Sequence, residues 1–129
     1  MINSILPKFL FDEEDIIYLK DKGIQIQEGS QVIGSYKIPC FKFYNLNECE
    51  VFDTLEHNRL YEANTESEII SYATRVAAVL FLRIRQVASI KDKDQKIAAA
   101  CSLLSAVNSL ASLSTKYALR FIPLVRSLV

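Results

Sequence analysis

An amphipathic helical pattern in the C-terminal half of the chain is the feature that most constrains its fold. Thr65 and Glu68 have the spacing of a capping box, in which a hydroxyl and a carboxylate satisfy free backbone N–H groups. Apolar side chains then recur on one stripe at 100° per residue, at Ile69, Ala73, Val76, Leu80, Ile84 and Val87. The pattern predicts a long helix that begins near Thr65.

The phase of the following apolar positions predicts a second helix rather than a continuation of the first. An unbroken helix would turn its stripe away from Ala100, Val107, Ala111, Ala118 and Val125. A turn near residues 91–94, with Asp92 or Asp94 as the new N-cap, removes this conflict. The second helix then runs from about Gln95 toward the C-terminus, with Pro123 on its polar face.

An uncharged stretch of this second helix, residues 97–115, is long enough to cross a membrane. It contains seven polar residues, however, and four serines recur at helical spacing: Ser102, Ser105, Ser109 and Ser112. We interpret the serines as the solvent side of an amphipathic surface helix, and a close-packed dimer seam is the alternative. The sequence therefore predicts no membrane span.

The N-terminal half begins with a pattern typical of a short helix. Asp12 can cap a helix over about residues 12–22, because its carboxylate can accept from a free N–H group. Acidic residues follow in the first turn, where the helix dipole is positive. Gly23 then predicts the end of the helix.

The segment from Gly23 to about Asp53 predicts strands. Alternating and β-branched residues indicate extended structure, with a turn at residues 28–30 and a last short strand at Cys49–Phe52. Pro39 cannot donate a ladder hydrogen bond, so we expect an edge strand or a bulge there.

Together these patterns predict an α+β fold: a small, mainly antiparallel sheet from the N-terminal half, packed with a C-terminal two-helix hairpin. A chain of 129 residues fits one domain spanning 1–129. We divide it into an acidic, strand-rich part, 1–64, and a basic, helical part, 65–129. Residues 53–63 fit neither helix nor strand clearly.

Charge is segregated along the chain, although the net charge is zero. Residues 1–74 carry 6 basic and 13 acidic side chains, a balance of −7, and residues 75–129 carry 9 basic and 2 acidic, a balance of +7. This asymmetry indicates a basic surface for nucleic acid or membrane, an acidic surface for a basic partner, or two parts that attract each other.

The cysteine content favours a reducing compartment. Cys40, Cys49 and Cys101 leave one thiol unpaired in any disulfide scheme, and no C-x-x-C spacing occurs. Residues 1–11 have no basic n-region and precede an acidic run, which is not the pattern of a signal peptide. We therefore expect a cytoplasmic protein.

The reactive side chains do not form a recognisable catalytic or metal motif. Cys49 and the single histidine, His57, could act as nucleophile and base, but the surrounding sequence matches no cysteine-protease or nucleophile-elbow signature. Adding Cys40 gives three potential zinc ligands without the paired short spacings of structural zinc sites. We predict no catalytic residue, no metal and no cofactor, so a protein that is not an enzyme.

The charge segregation and the apolar run at residues 121–125 predict a surface for another chain. Because the run is too apolar for a loose tail, we expect it to dock on the domain or on a partner. The hypothesis is a small non-catalytic protein-interaction module, such as an inhibitor, immunity factor, adaptor or assembly subunit, with a homo-oligomer among its forms. The interaction candidates are Arg75, Arg85, Lys116, Arg120, Phe121, Ile122, Leu124 and Val125.

Nucleic-acid binding through the basic C-terminal helices is the alternative hypothesis. Basic side chains spread over both helices could follow phosphates, with a salt-dependent affinity. Aromatic residues are sparse among them, however, and the turn between the helices lacks the signature of a helix-turn-helix motif. This alternative is therefore ranked second.

Overall fold

The computed structural model describes residues 2–59 and 65–129 and has the α+β fold that the sequence predicts. A three-stranded antiparallel sheet from the N-terminal half packs with the C-terminal helices, of which the last two form a hairpin. A turn of 3₁₀ helix, Lys8–Leu10, follows the first strand. The other elements, in chain order, are β1 (Ser4–Pro7), α1 (Glu13–Asp21), β2 (Ile26–Ile33), β3 (Tyr36–Phe43), α2 (Glu48–Arg59), α3 (Thr65–Ala88), α4 (Lys93–Ala111) and α5 (Thr115–Arg126).

The sheet has the strand order β1-β3-β2, and its turn lies later than predicted. The predicted turn at residues 28–30 is wrong, because β2 continues through it and Gly29 pairs with Cys40. The strands instead reverse at Gly34 and Ser35, between the paired residues Ile33 and Tyr36. Gly34 has φ +58, which a two-residue hairpin turn requires and which glycine adopts without strain. The pairing of β1 with β3 was not predicted.

Pro39 lies in β3, the central strand, but at a level where the sheet has an edge, as predicted. The ladder with β1 ends at the pair Pro7 and Cys40, so β1 does not extend to Pro39. In the β2–β3 hairpin, Pro39 is opposite Ser30 at a position that exchanges no hydrogen bonds with β2. The missing N–H therefore falls where neither neighbouring strand needs it.

The strand predicted at Cys49–Phe52 is wrong, since these residues belong to α2. Asn47 and Glu50 cap this helix reciprocally: the Glu50 N–H donates to Asn47 Oδ1 at 2.8 Å, and the Asn47 N–H donates to Glu50 Oε1 at 3.3 Å. Val51, Phe52 and Leu55 are buried at helical spacing. The capping-box spacing of Asn47 and Glu50 thus indicates the structure of this segment better than its short apolar run does. The end of the ambiguous segment, residues 60–63, lies outside the described residues.

The predicted start and the predicted end of α1 are both confirmed. The helix begins after Asp12, whose backbone N–H donates to Asp15 Oδ2 at 2.9 Å. It ends just before Gly23, which has φ +84. This short helix therefore forms where its local capping signals place it.

Helix α3 is the centre of the molecule, because it contacts the sheet, the 3₁₀ turn, α2, α4 and α5. The predicted stripe is buried except at Ile69, which is exposed, and Val76, which is partly buried. Ala77 and Phe81 extend the buried side, and all elements of the sheet and helices contribute to one apolar cluster. The predicted capping-box hydroxyl of Thr65 lies outside the described side chains.

The single C-terminal helix predicted from Gln95 is two helices, because the chain turns at residues 112–114. Asp92 caps α4, as predicted, and accepts the Gln95 N–H at 2.9 Å. Ser114 caps α5 by accepting the Tyr117 N–H at 3.2 Å. The turn lets α5 fold back on α4 and α3 and bury its apolar side.

Candidate interaction surface

Helix α3 presents apolar side chains to solvent as well as to the core. Tyr72 is 59% exposed and Val79 is 51% exposed, and Val76 between them is partly buried. Spacings of three and four residues place these side chains on one face of the helix. We call residues 68, 72, 76, 79 and 83 the α3 face.

A groove runs beside this face, between α3 and α4. Its α3 wall is formed by Val76, Val79 and Leu80, and Ala106 lines it from α4. Because Ala106 is small, the two helices leave an open trough of about 250 Å³ rather than a filled seam. The groove is apolar, and among the described residues that line it only Arg75 and Arg83 are charged.

Opposite charges stand at the two ends of the α3 face. Glu68 is exposed in the first turn of α3, and Arg83 is exposed near its last turn. Both signs suit the helix dipole, which is positive at the N-terminus and negative at the C-terminus. Along the helix, the face therefore changes from acidic to aromatic, then to aliphatic, then to basic.

Arg75, a predicted interaction residue, joins the acidic and basic parts of the chain. Its Nη2 atom lies 2.6 Å from Asp53 Oδ1 on α2. Its guanidinium also lies 6.0 Å from the ring centroid of Phe52. The oppositely charged parts therefore meet within the molecule at this point.

Of the other predicted basic residues, Lys116 and Arg120 both lie beside Phe9, and Arg85 lies elsewhere. The Arg85 guanidinium is 6.0 Å from the Phe81 ring centroid on the same helix. The Arg120 guanidinium is 6.0 Å from the ring of Phe9, which follows β1. Lys116 is exposed and lines a cleft of about 210 Å³ beside Phe9 and Tyr117. The guanidinium groups of Arg75, Arg85 and Arg120 thus each lie over a different aromatic ring.

The apolar C-terminal run docks on the molecule's own core, one of the two outcomes that the sequence left open. Phe121, Leu124 and Val125 are buried in the apolar cluster, so these three predicted interaction residues do not lie on an accessible surface. Ile122 is partly buried. It lines a shallow cleft together with Tyr36 of β3 and with residues at the end of α5. The run stabilises the fold by burial, and only Ile122 and Pro123 are partly exposed.

The serine stripe of α4 faces solvent, as the favoured interpretation has it. Ser102, Ser105, Ser109 and Ser112 are all exposed. The Ser109 and Ser112 hydroxyls donate to carbonyls of their own helix, at 3.2 and 2.7 Å. Their hydrogen bonding is therefore satisfied locally.

Cys49 and His57 lie two turns apart on α2. Their separation of eight residues corresponds to about 12 Å along a helix axis, too far for a direct nucleophile–base contact. Cys49 is exposed, and the side chain of His57 lies outside the described residues. Across the described part of the chain, no three Cys, His, Asp or Glu residues are grouped so as to hold a metal ion.

Cys40 differs from the other two free thiols because it is buried in the sheet. Its Sγ donates to the Ile38 carbonyl at 3.3 Å, and burial raises the pKa of the thiol from 9.0 to about 11. An increase of two pH units corresponds to about 100-fold less thiolate at a pH below both values. We expect Cys49 and Cys101 to react with a disulfide reagent at pH 8 before Cys40 does.

Thiol titration with and without urea checks this prediction. In the folded protein, two thiols should react quickly with the disulfide reagent, and the third should react at least about 100-fold more slowly. Unfolding should make all three thiols react quickly. The slow phase should quicken as pH rises toward 11, because the Cys40 thiolate then forms. A Cys40→Ala variant, the control, should lack the slow phase. Three equal rates in the folded protein would contradict the assignment.

Among the helices that the structure describes, none combines the length and the apolar character needed to cross a lipid bilayer. No protein-family model, curated protein or solved structure matches the chain.

Tyr72, Val79 and Arg83 were not predicted as site residues. Tyr72 and Val79 lie off the buried stripe, seven residues apart, and this spacing places them together on the polar side of the helix. Apolar residues at helical spacing on the polar side of an amphipathic helix are the sequence pattern that indicates such a face.

Proposed function

We propose that this protein is a small non-catalytic protein-interaction module and that the α3 face and the adjoining groove bind its partner. The observation that carries the proposal is the exposure of Tyr72 and Val79 above an apolar groove. Exposed tyrosine and aliphatic side chains beside a trough, with arginine at its edge, have the composition of an interface core.

The chemistry of the groove favours binding over catalysis. Its walls are aliphatic, so it offers burial of a partner's side chains, and Arg83 can pair with a carboxylate at the rim. The roles of inhibitor, immunity factor, adaptor and assembly subunit all need such a surface. We also propose a cytoplasmic location, where three free thiols remain reduced.

Less supports nucleic-acid binding through the basic helices. Arg75 is neutralised by Asp53, and Arg85 and Arg120 are directed to different rings. A phosphate backbone is best followed by basic side chains aligned on one surface.

Site-directed photo-cross-linking tests the proposed function. A benzophenone amino acid at position 79 should give an adduct with one defined protein, either a second copy of this chain or a different protein, in its own cells and with purified components. The same group at Val32, which is 74% exposed on β2, is the matched control and should give no adduct of that mass. Adding Tyr72→Asp should abolish the adduct, because the charge disrupts the apolar face. Equal adducts from positions 79 and 32, or none from position 79, would overturn the proposal.

A further inference from the structure

We propose that the partner on the α3 face is a second copy of this chain, bound across a two-fold axis with the two α3 helices antiparallel. This inference rests on the proposed function and specifies its partner. An isologous interface must be complementary to itself, and the α3 face meets this requirement in spacing, in shape and in charge.

The outer four positions of the α3 face, two at each end, have a palindromic spacing. The intervals from Glu68 to Tyr72 and from Val79 to Arg83 are both four residues. When one helix is reversed so that paired residue numbers sum to 151, Glu68 is level with Arg83 of the second copy. Tyr72 is then level with Val79 of the second copy, and each pair occurs twice. The axis passes between positions 75 and 76, which brings the two Val76 side chains together.

The groove provides room for the largest side chain of this face. In the proposed register, Tyr72 of the second copy lies over Val79, at the mouth of the groove beside Val76 and Ala106. A volume of 250 Å³ is several times the roughly 30 Å³ share of a water molecule, so a phenol ring can enter it. An exposed ring and an open groove on the same surface thus fill each other when the surface is duplicated.

The charges also pair when the chain is duplicated. Two antiparallel copies bring the acidic first turn of each α3 beside the basic end of the other, and they oppose the two helix dipoles. The two Arg75 side chains approach the axis, but each already pairs with the Asp53 carboxylate of its own copy at 2.6 Å. A chain with a balance of −7 followed by +7 is thereby complementary to itself rather than self-repelling.

The size of this surface sets the expected affinity. The face from residue 68 to residue 83 extends about 22 Å along the helix, which gives a small interface formed by a single helix pair. Such interfaces lie at the weak end of specific association, so we expect a dissociation constant on the order of micromolar.

Sedimentation equilibrium of the full chain from about 1 to 500 μM tests the dimer. Glu68→Arg and Arg83→Glu should each weaken association about tenfold, because two attractions become two repulsions. Combining them should restore the wild-type constant to within about threefold, since the pairs re-form with reversed sign. Glu14→Arg and Arg126→Glu, at exposed positions on α1 and at the end of α5, are matched controls that should leave association unchanged.

A cysteine at the axis tests the register independently. In a Cys49→Ser, Cys101→Ser background, Val76→Cys should be joined to its counterpart by a short bis-maleimide, and Val32→Cys should not. A monomer at 500 μM, a failed charge-swap rescue or cross-linking through position 32 would overturn the dimer. If a monomer still gives a position-79 adduct with a different protein, the interaction function stands and only the self-association is wrong. Without any adduct, both fail.

Discussion

Replacing Phe81 with alanine should lower the free energy of unfolding by about 3–5 kcal/mol, which is the range for truncating a buried aromatic ring. Phe81 is 0% exposed at the middle of the buried side of α3. Because α3 contacts the sheet and three other helices, a cavity there cannot be closed by the movement of one neighbour. Alanine is the better helix former, but that gain is only about 0.5 kcal/mol and does not offset the lost packing.

Urea denaturation followed by circular dichroism at 222 nm measures this effect. Total stabilities of small domains are about 5–15 kcal/mol, so the Phe81→Ala midpoint should move by a large fraction of its wild-type value. The matched control is Val79→Ala, two residues earlier on the same helix, where the side chain is half exposed. It should change stability by no more than about 0.5 kcal/mol. Equal losses for the two variants would contradict the central position of the Phe81 side of α3.

The helical half of the fold was largely predictable because its information is periodic. A stripe at 100° per residue identifies the buried side of α3 over many turns, and the phase change requires a break that Asp92 then caps. The later break at Ser114 produces no comparable phase conflict, since the apolar side of α5 continues the pattern of α4. Because the apolar positions keep the same phase across Ser114, the sequence pattern there is that of one continuous helix.

The sheet was less predictable because its pairing is decided by distant residues. Residues 28–30 have the composition of a turn, but Gly29 lies opposite Cys40 in a continuous ladder. The four residues of β1 become a strand because β3 offers them an edge. The local composition of a segment does not show which strand it will pair with, and tertiary pairing overrides the local turn preference.

The sequence predicts an interaction surface, but it does not indicate the α3 face. That prediction depends on the charge segregation and on the apolar run at residues 121–125, and neither of them points to Tyr72 or Val79. An apolar run indicates that it will be buried without indicating against what, and here Phe121 is buried against the molecule's own core. Tyr72 and Val79 are isolated in the sequence and meet only because the helix brings every third or fourth residue together.

The turn between β2 and β3 should not tolerate a side chain at Gly34, and Gly34→Ala should lower the free energy of unfolding by about 2–5 kcal/mol. Gly34 has φ +58, where an alanine loses roughly 1–2 kcal/mol to backbone strain. A Cβ built there would also overlap Ser127 Oγ and lie 3.0 Å from Ser127 Cβ, just after α5. Overpacking of this kind adds roughly 1–3 kcal/mol, because either the hairpin or the end of α5 must move.

The other two glycines separate these contributions by urea denaturation. Gly23 has φ +84 with nothing within 4 Å of an added Cβ, so Gly23→Ala should show the backbone cost alone. Gly29 has an equally open site without a positive φ, so Gly29→Ala should be neutral or stabilise by up to about 1 kcal/mol. Ser127→Ala should recover part of the Gly34→Ala loss, because it removes the overlapping hydroxyl. If Gly34→Ala costs no more than Gly23→Ala, the hairpin turn does not pack against the end of α5. The C-terminal helix would then be anchored only by its apolar side.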